Sequence, residues 1–191
     1  MSPPRRLVVA ISGSSGPHYG VRLIEVLREH TELEIHAVVT GGARATITYE
    51  MGLDPDSVLE KAHVVHDEGS LAASIASGTF ATDGMVVAPC SIRSLAAIAN
   101  SLNDTLVTLA ADVTLKERRR LVLVVRETPL HLGHLRLMEQ VTEAGAVVLP
   151  PVPGFYHRPQ GIDDLIDHTV TKILDLFDLR LELIERWDGP R

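Results

Sequence analysis

The short runs at residues 7–12, 34–40, 85–88, 121–125 and 146–149 are nearly all apolar, with little alternation of polar and apolar positions. A strand with one wet face alternates, whereas a strand covered on both faces does not. Helical patterns fall between the runs, at residues 19–28, 43–50, 55–61, 91–100, 104–116, 132–144 and 162–177. A further strand is expected near 63–65. Asp104 stands where an N-cap would stand and Gly145 where a helix would end. This β-α-β-α order predicts an α/β fold: a single Rossmann-like (flavodoxin-like), doubly wound parallel sheet with helices on both faces. Such sheets bind ligands beyond the C-terminal ends of their strands. The residues just after each run are therefore the candidates for function.

A chain of 191 residues is expected to form one domain over residues 1–191, with a tail from about 179 packing on the body or on a neighbouring subunit. The net charge of −7 argues against a broad basic surface for nucleic acid. One cysteine, Cys90, excludes an internal disulfide and fits a reducing compartment. No apolar run approaches the roughly 20 residues of a membrane span. The run behind Arg5 and Arg6 is broken by Ser12 and Gly13, too early for a signal peptide, so a cytoplasmic protein is expected. The mean hydropathy of +0.14 is somewhat high for a small domain and suits either subunit contacts or a well-filled core.

Gly13-Ser14-Ser15-Gly16 follows the first run. Free N–H groups at a strand-to-helix turn can hold a phosphate, and the serines can contact a ring; a tight turn that merely needs glycine is an equal reading. The stretch lacks the lysine of a Walker A loop and does not match G-x-G-x-x-G. Pro89-Cys90-Ser91-Ile92-Arg93-Ser94 repeats the geometry after the third run. Ser91 and Ser94 suit ligand binding or capping, and Cys90 reads better as a buried small residue than as a nucleophile. Arg126 and Glu127 follow the fourth run: one offers a planar fork for a phosphate or a flavin carbonyl, the other a proton carrier, and a local ion pair or a cap on the helix after Pro129 is the structural alternative. Lys116 opens a charge run that is either a solvated face or an anion contact. His131 and His134, three apart, lack an evident third metal ligand. The stiff loop 150–154 delivers Phe155, Tyr156 and His157 to a fixed place.

Ile11-Ser-Gly-Ser-Ser-Gly16, Ala88-Pro-Cys-Ser91, Ala110-Ala-Asp-Val-Thr-Leu-Lys-Glu-Arg-Arg119, Val125-Arg-Glu-Thr-Pro-Leu-His131 and Pro153-Gly-Phe-Tyr-His-Arg-Pro-Gln160 together resemble the UbiX/Pad-type flavin prenyltransferases, over about residues 7–176. These lie among the homo-oligomeric flavin-containing cysteine decarboxylase folds. The resemblance implies an enzyme that joins a dimethylallyl group from dimethylallyl phosphate to reduced FMN, without a metal. Its product, prenylated FMN, serves a UbiD-type decarboxylase. It also implies a homododecamer with active sites at subunit contacts. By resemblance, Gly13, Ser14, Ser15, Thr40, Ser91, Ile92, Arg93, Ser94 and Arg126 bind FMN. Ser15 stands near flavin N5, Glu127 handles the proton of the departing phosphate, and Glu50 matches an active-site glutamate. Tyr156, Lys172 and Lys116 match the residues that hold the prenyl phosphate.

The chain departs from the family pattern in places. Leu109 stands where many members have arginine before Ala-Ala-Asp, and Lys172 replaces a frequent arginine. Gly41 and Gly42 replace Lys-Ala, and Pro17-His18 follows the first turn. Two other activities compete with prenyl transfer: flavin-dependent decarboxylation of peptidyl cysteine, and non-catalytic FMN carriage, which the loss of a cation at Leu109 suggests.

Overall fold

The structure, a computed structural model, describes residues 4–189. The strands are β1 (Arg6–Ile11), β2 (Glu34–Val39), β3 (Val64–His66), β4 (Gly84–Cys90), β5 (Arg120–Val125) and β6 (Val147–Val148). The helices are α1 (His18–His30), α2 (Gly41–Thr46), α3 (Pro55–Leu59), α4 (Ile92–Ala99), α5 (Leu106–Lys116), α6 (Leu132–Glu143) and α7 (Ile162–Leu176). All pairings are parallel, in the order β3-β2-β1-β4-β5-β6. Without the short edge strand β3, this is the flavodoxin-like order.

Burial on both faces explains the unbroken apolar runs. Leu7, Val9 and Ile11 of β1 enter one core with α1 and α7, while Val8 and Ala10 enter the other with α4 and α5. Close packing shows at Gly20 of α1, where a Cβ would lie 2.1 Å from the Ala88 carbonyl oxygen. Arg22 reaches from α1 to Asp167 of α7 with bonds of 2.7 and 3.0 Å, which locks the two helices together. The tail lies back on this layer: Leu179, Leu181 and Leu183 pack against the core, and Arg186 grips Asp175 at 2.9 and 2.7 Å. Among the described residues, no helix is long and apolar enough to cross a membrane.

Three boundaries differ from the sequence reading. β4 runs on through Pro89 to Cys90, because the register shifts between Val87 and Cys90 and so accommodates the proline. The helix expected over 43–50 splits into α2 and a π turn, Ile47–Met51, closed by Gly52 at φ +66°. α5 is capped by Thr105 rather than Asp104: the Thr105 and Thr108 side chains reciprocally satisfy each other's backbone N–H. Asp104 instead lies 3.6 Å from the Arg93 guanidinium.

Candidate active site

The sheet order reverses between β1 and β4, whose following helices leave to opposite faces. A crevice must open there at the C-terminal rim. Ser12, 1% exposed, joins its two walls. Its Oγ donates to the Pro89 carbonyl at 2.9 Å and accepts the Ser91 N–H at 2.8 Å. Ser14 Oγ donates to the Arg126 carbonyl at 3.0 Å, and the Arg126 N–H reaches the Cys90 carbonyl at 3.3 Å. The turns after β1, β4 and β5 are thus one hydrogen-bonded unit. The turn after β2 joins by contact of bare backbone: a Cβ on Gly13 would lie 3.0 Å from Gly42 Cα. Glycine is needed at 13 for that approach.

These turns enclose a cavity of about 370 Å³, lined by Gly13, Thr40, Gly42, Glu68, Ser91, Ile92, Arg93, Ser94, Ala97, Asp104, Thr105, Thr108 and Glu127. Thr40, Ser91 and Thr105 each cap a helix, so the starts of α2, α4 and α5 all border it. Ser91 Oγ accepts the Ser94 N–H at 3.2 Å and donates to Ser94 Oγ at 3.1 Å. Glu68 accepts the Gly41 N–H at 2.7 Å, and Glu127 accepts the Thr128 N–H at 2.9 Å. Glu50, on the π turn, accepts the Gly16 N–H at 2.8 Å and so braces the first turn, where Gly16 has φ +86°. Burial pushes the Tyr19 phenol up, against the opposing pull of Arg126. Cys90 is wholly buried and its thiol is pushed up to about 12 by that burial, which removes it as a nucleophile.

The family described as Flavoprotein matches residues 1–174. Flavin prenyltransferase UbiX of Escherichia coli strain K12 is 56% identical over 187 residues, covering 97% of this chain and 99% of that one. The chain belongs to the UbiX-type flavin prenyltransferase family. Among solved structures, AnUbiX (PadA1) in complex with FMN and dimethylallyl pyrophosphate superposes with a TM-score of 0.97 at 49% identity, covering 99% of this chain and 100% of that one. A dodecameric FMN-dependent UbiX-like decarboxylase from Escherichia coli O157:H7 gives 0.94 at 42% identity, covering 96% and 100%.

The cavity fits the flavin of a prenyltransferase on physical grounds. Its volume lies in the range of small-molecule sites. Hydroxyls, helix starts and Arg93 supply donors for a phosphate, and at the Gly13–Gly42 contact no side chain projects from either glycine.

The fold brings Gly13, Thr40, Ser91, Ile92, Arg93, Ser94 and Glu127 to one cavity, with Ser14, Ser15, Glu50 and Arg126 in or against the turns that frame it. It does not bring Lys116 there within one chain. α5 starts at the cavity and runs 11 residues, about 16 Å, toward the opposite rim. Lys116 ends beside Gly78 and pairs with Glu117 at 2.5 Å. Tyr156 and Lys172 are also elsewhere. Tyr156 bonds His168 of α7, and Lys172 lines a separate cleft beside β6 with Leu149 and Val152. The sequence reading overlooked Ser12, Glu68, Thr105 and Thr108. The Thr-x-x-Thr spacing of a capping box was the available signal for the last two. Ser12 read only as the end of a strand, and Glu68 follows the faintest strand.

Proposed function

We propose that the protein transfers a dimethylallyl group from dimethylallyl phosphate to reduced FMN, making prenylated FMN for a UbiD-type decarboxylase. The observation that carries this reading is the convergence of Gly13, Thr40, Ser91, Ser94, Arg93 and Glu127 on one strand-end cavity, in a chain of this family. Bound reduced FMN supplies the nucleophilic nitrogen that accepts the prenyl carbon. The chain does the rest. Gly13, Ser14 and Ser15 form the seat for the ring, with Thr40, Ile92 and Arg126 around it. Ser91, Arg93 and Ser94 hold the flavin's polar groups. Glu127 gives the departing phosphate oxygen its proton, and Glu50 holds the Gly16 end of the seat in place. An allylic ester ionises when its leaving anion is held by cations and donors. Lys116, Lys172 and Tyr156 supply these, from neighbouring copies.

Exposed apolar side chains support that division. Leu130, Leu132 and Leu135, which follow Glu127 in the chain, lie 42%, 60% and 50% exposed, and Phe155 and Ile162 are 69% and 74% exposed. Surface this apolar calls for a partner, and a homododecamer of single flavin-binding domains in the cytoplasm is the arrangement proposed. Leu109 removes one cation, and Lys116 and Lys172 then hold the phosphate without it. The test is anaerobic incubation with FMN, a reductant and dimethylallyl phosphate, followed by mass spectrometry of the extracted flavin. A flavin heavier by one prenyl unit is expected. Unchanged FMN, with decarboxylation of a cysteine-ended peptide by the oxidised flavoprotein, would overturn the proposal.

A further inference from the structure

Tyr156 is unusually well held for a residue on a loop. Three rings meet it edge-on: His157 at 5.4 Å, His168 at 5.6 Å and Trp187 at 6.2 Å between centroids. His168 also reaches the hydroxyl, its Nε2 lying 3.2 Å from the Tyr156 oxygen. His168 is 8% exposed on α7, and His157 stacks on it with planes 4° apart and centroids 5.3 Å apart. The loop is shaped around the pair. A Cβ at Gly154 would stand 2.8 Å from His168 Nε2 and 3.2 Å from Tyr156 Cε1.

We propose that His168 is a positioning residue for prenyl transfer: its Nε2–H donates to the Tyr156 oxygen, so that the phenolic O–H is left to donate to the phosphate of the prenyl donor. This rests on the reading of Tyr156 as a phosphate contact. A phenol has a single O–H, and a phosphate dianion offers only acceptors. If the tyrosine spent its O–H on the ring, it could present only lone pairs to the anion. A donor behind the oxygen settles the direction and strengthens the outgoing bond through polarisation. Burial, then the charges of His157 and Lys172, hold His168 below the ordinary imidazole value, so the ring works as a neutral one with one N–H to place. The stacked His157 and the bare Gly154 fix its plane.

The test is steady-state kinetics of the full-length protein with reduced FMN, varying dimethylallyl phosphate. His168→Leu should raise KM for the donor about tenfold, with FMN affinity and assembly size unchanged. His168→Gln places an amide N–H in the same region and should recover most of that loss. His168→Glu, an acceptor only, should do no better than leucine. Gly154→Ala, which leaves both polar groups but forces them apart, should also raise KM. Tyr156→Phe should match His168→Leu, and the double variant should lose little more. A wild-type KM in His168→Leu beside a raised one in Tyr156→Phe overturns the positioning role alone, as does a glutamine variant no better than leucine. A wild-type KM in Tyr156→Phe overturns the phosphate contact on which the role rests.

Discussion

Glu127 follows the strand β5 with its side chain at the cavity and one oxygen already accepting the Thr128 N–H. That bond fixes the side chain and leaves the other oxygen for a proton. Glu127→Gln keeps the shape and removes the exchangeable proton, so turnover should fall by about 10² to 10⁴-fold while FMN affinity stays within a few-fold. Equal turnover in single-turnover assays would remove Glu127 from the chemistry. The placement of Glu127 at the cavity was readable in the sequence, because residues directly after a strand of a doubly wound sheet fall at its C-terminal rim. Glu50 was readable only as a family match: its contact with Gly16 crosses from the π turn to the first turn, and no local pattern announces that. Ser12 was invisible for a similar reason. Its partners, Pro89 and Ser91, are far along the chain, with separations of 77 and 79 residues.

Between elements, Ser12 is the small weld that makes the two turns one site. Ser12→Ala would leave the half-buried Ser91 N–H without its partner, at a cost of about 1–3 kcal/mol. A lower melting temperature and weaker FMN binding together are expected, and a drop in melting temperature alone would mean that the weld serves the fold only. The sheet edge carries a second element-scale device. His36 Nδ1 of β2 lies 2.9 Å from His66 Nε2 of β3, and His36 Nε2 lies 3.0 Å from Glu34. Burial holds both rings below the ordinary imidazole value. The unfolded chain therefore takes up these protons first as pH falls. Stability should be level above neutrality and decline below about pH 6.5. Urea midpoints at pH 7.5 and 5.5 check this, and His66→Gln should flatten the difference. The strands themselves were legible from their two-sided apolar runs. β3 was faint because it has three residues and lies at the sheet edge. The π turn was not legible, since its side chains follow a helical pattern.

At the scale of the whole molecule, one chain holds only part of the candidate site. In sequence, Lys116 lies within one of the motifs that carry the family resemblance, but the course of α5 takes it to the far rim. Tyr156 and Lys172 sit on the β6 and α7 side. No motif reports such separation, because spacing along a chain says nothing about which copy faces which. On the proposed roles, prenyl transfer belongs to the assembly, with FMN seated by one copy and the phosphate held by others. The most direct measurement uses Glu127→Gln and Lys116→Ala, each expected to be strongly impaired alone, dissociated and reassembled together at equal amounts. If the two residues come from different copies, about a quarter of the sites in a random mixture regain both, and prenylated FMN should reappear in that proportion. Mixed assemblies that form, bind FMN and stay inactive would contradict the account.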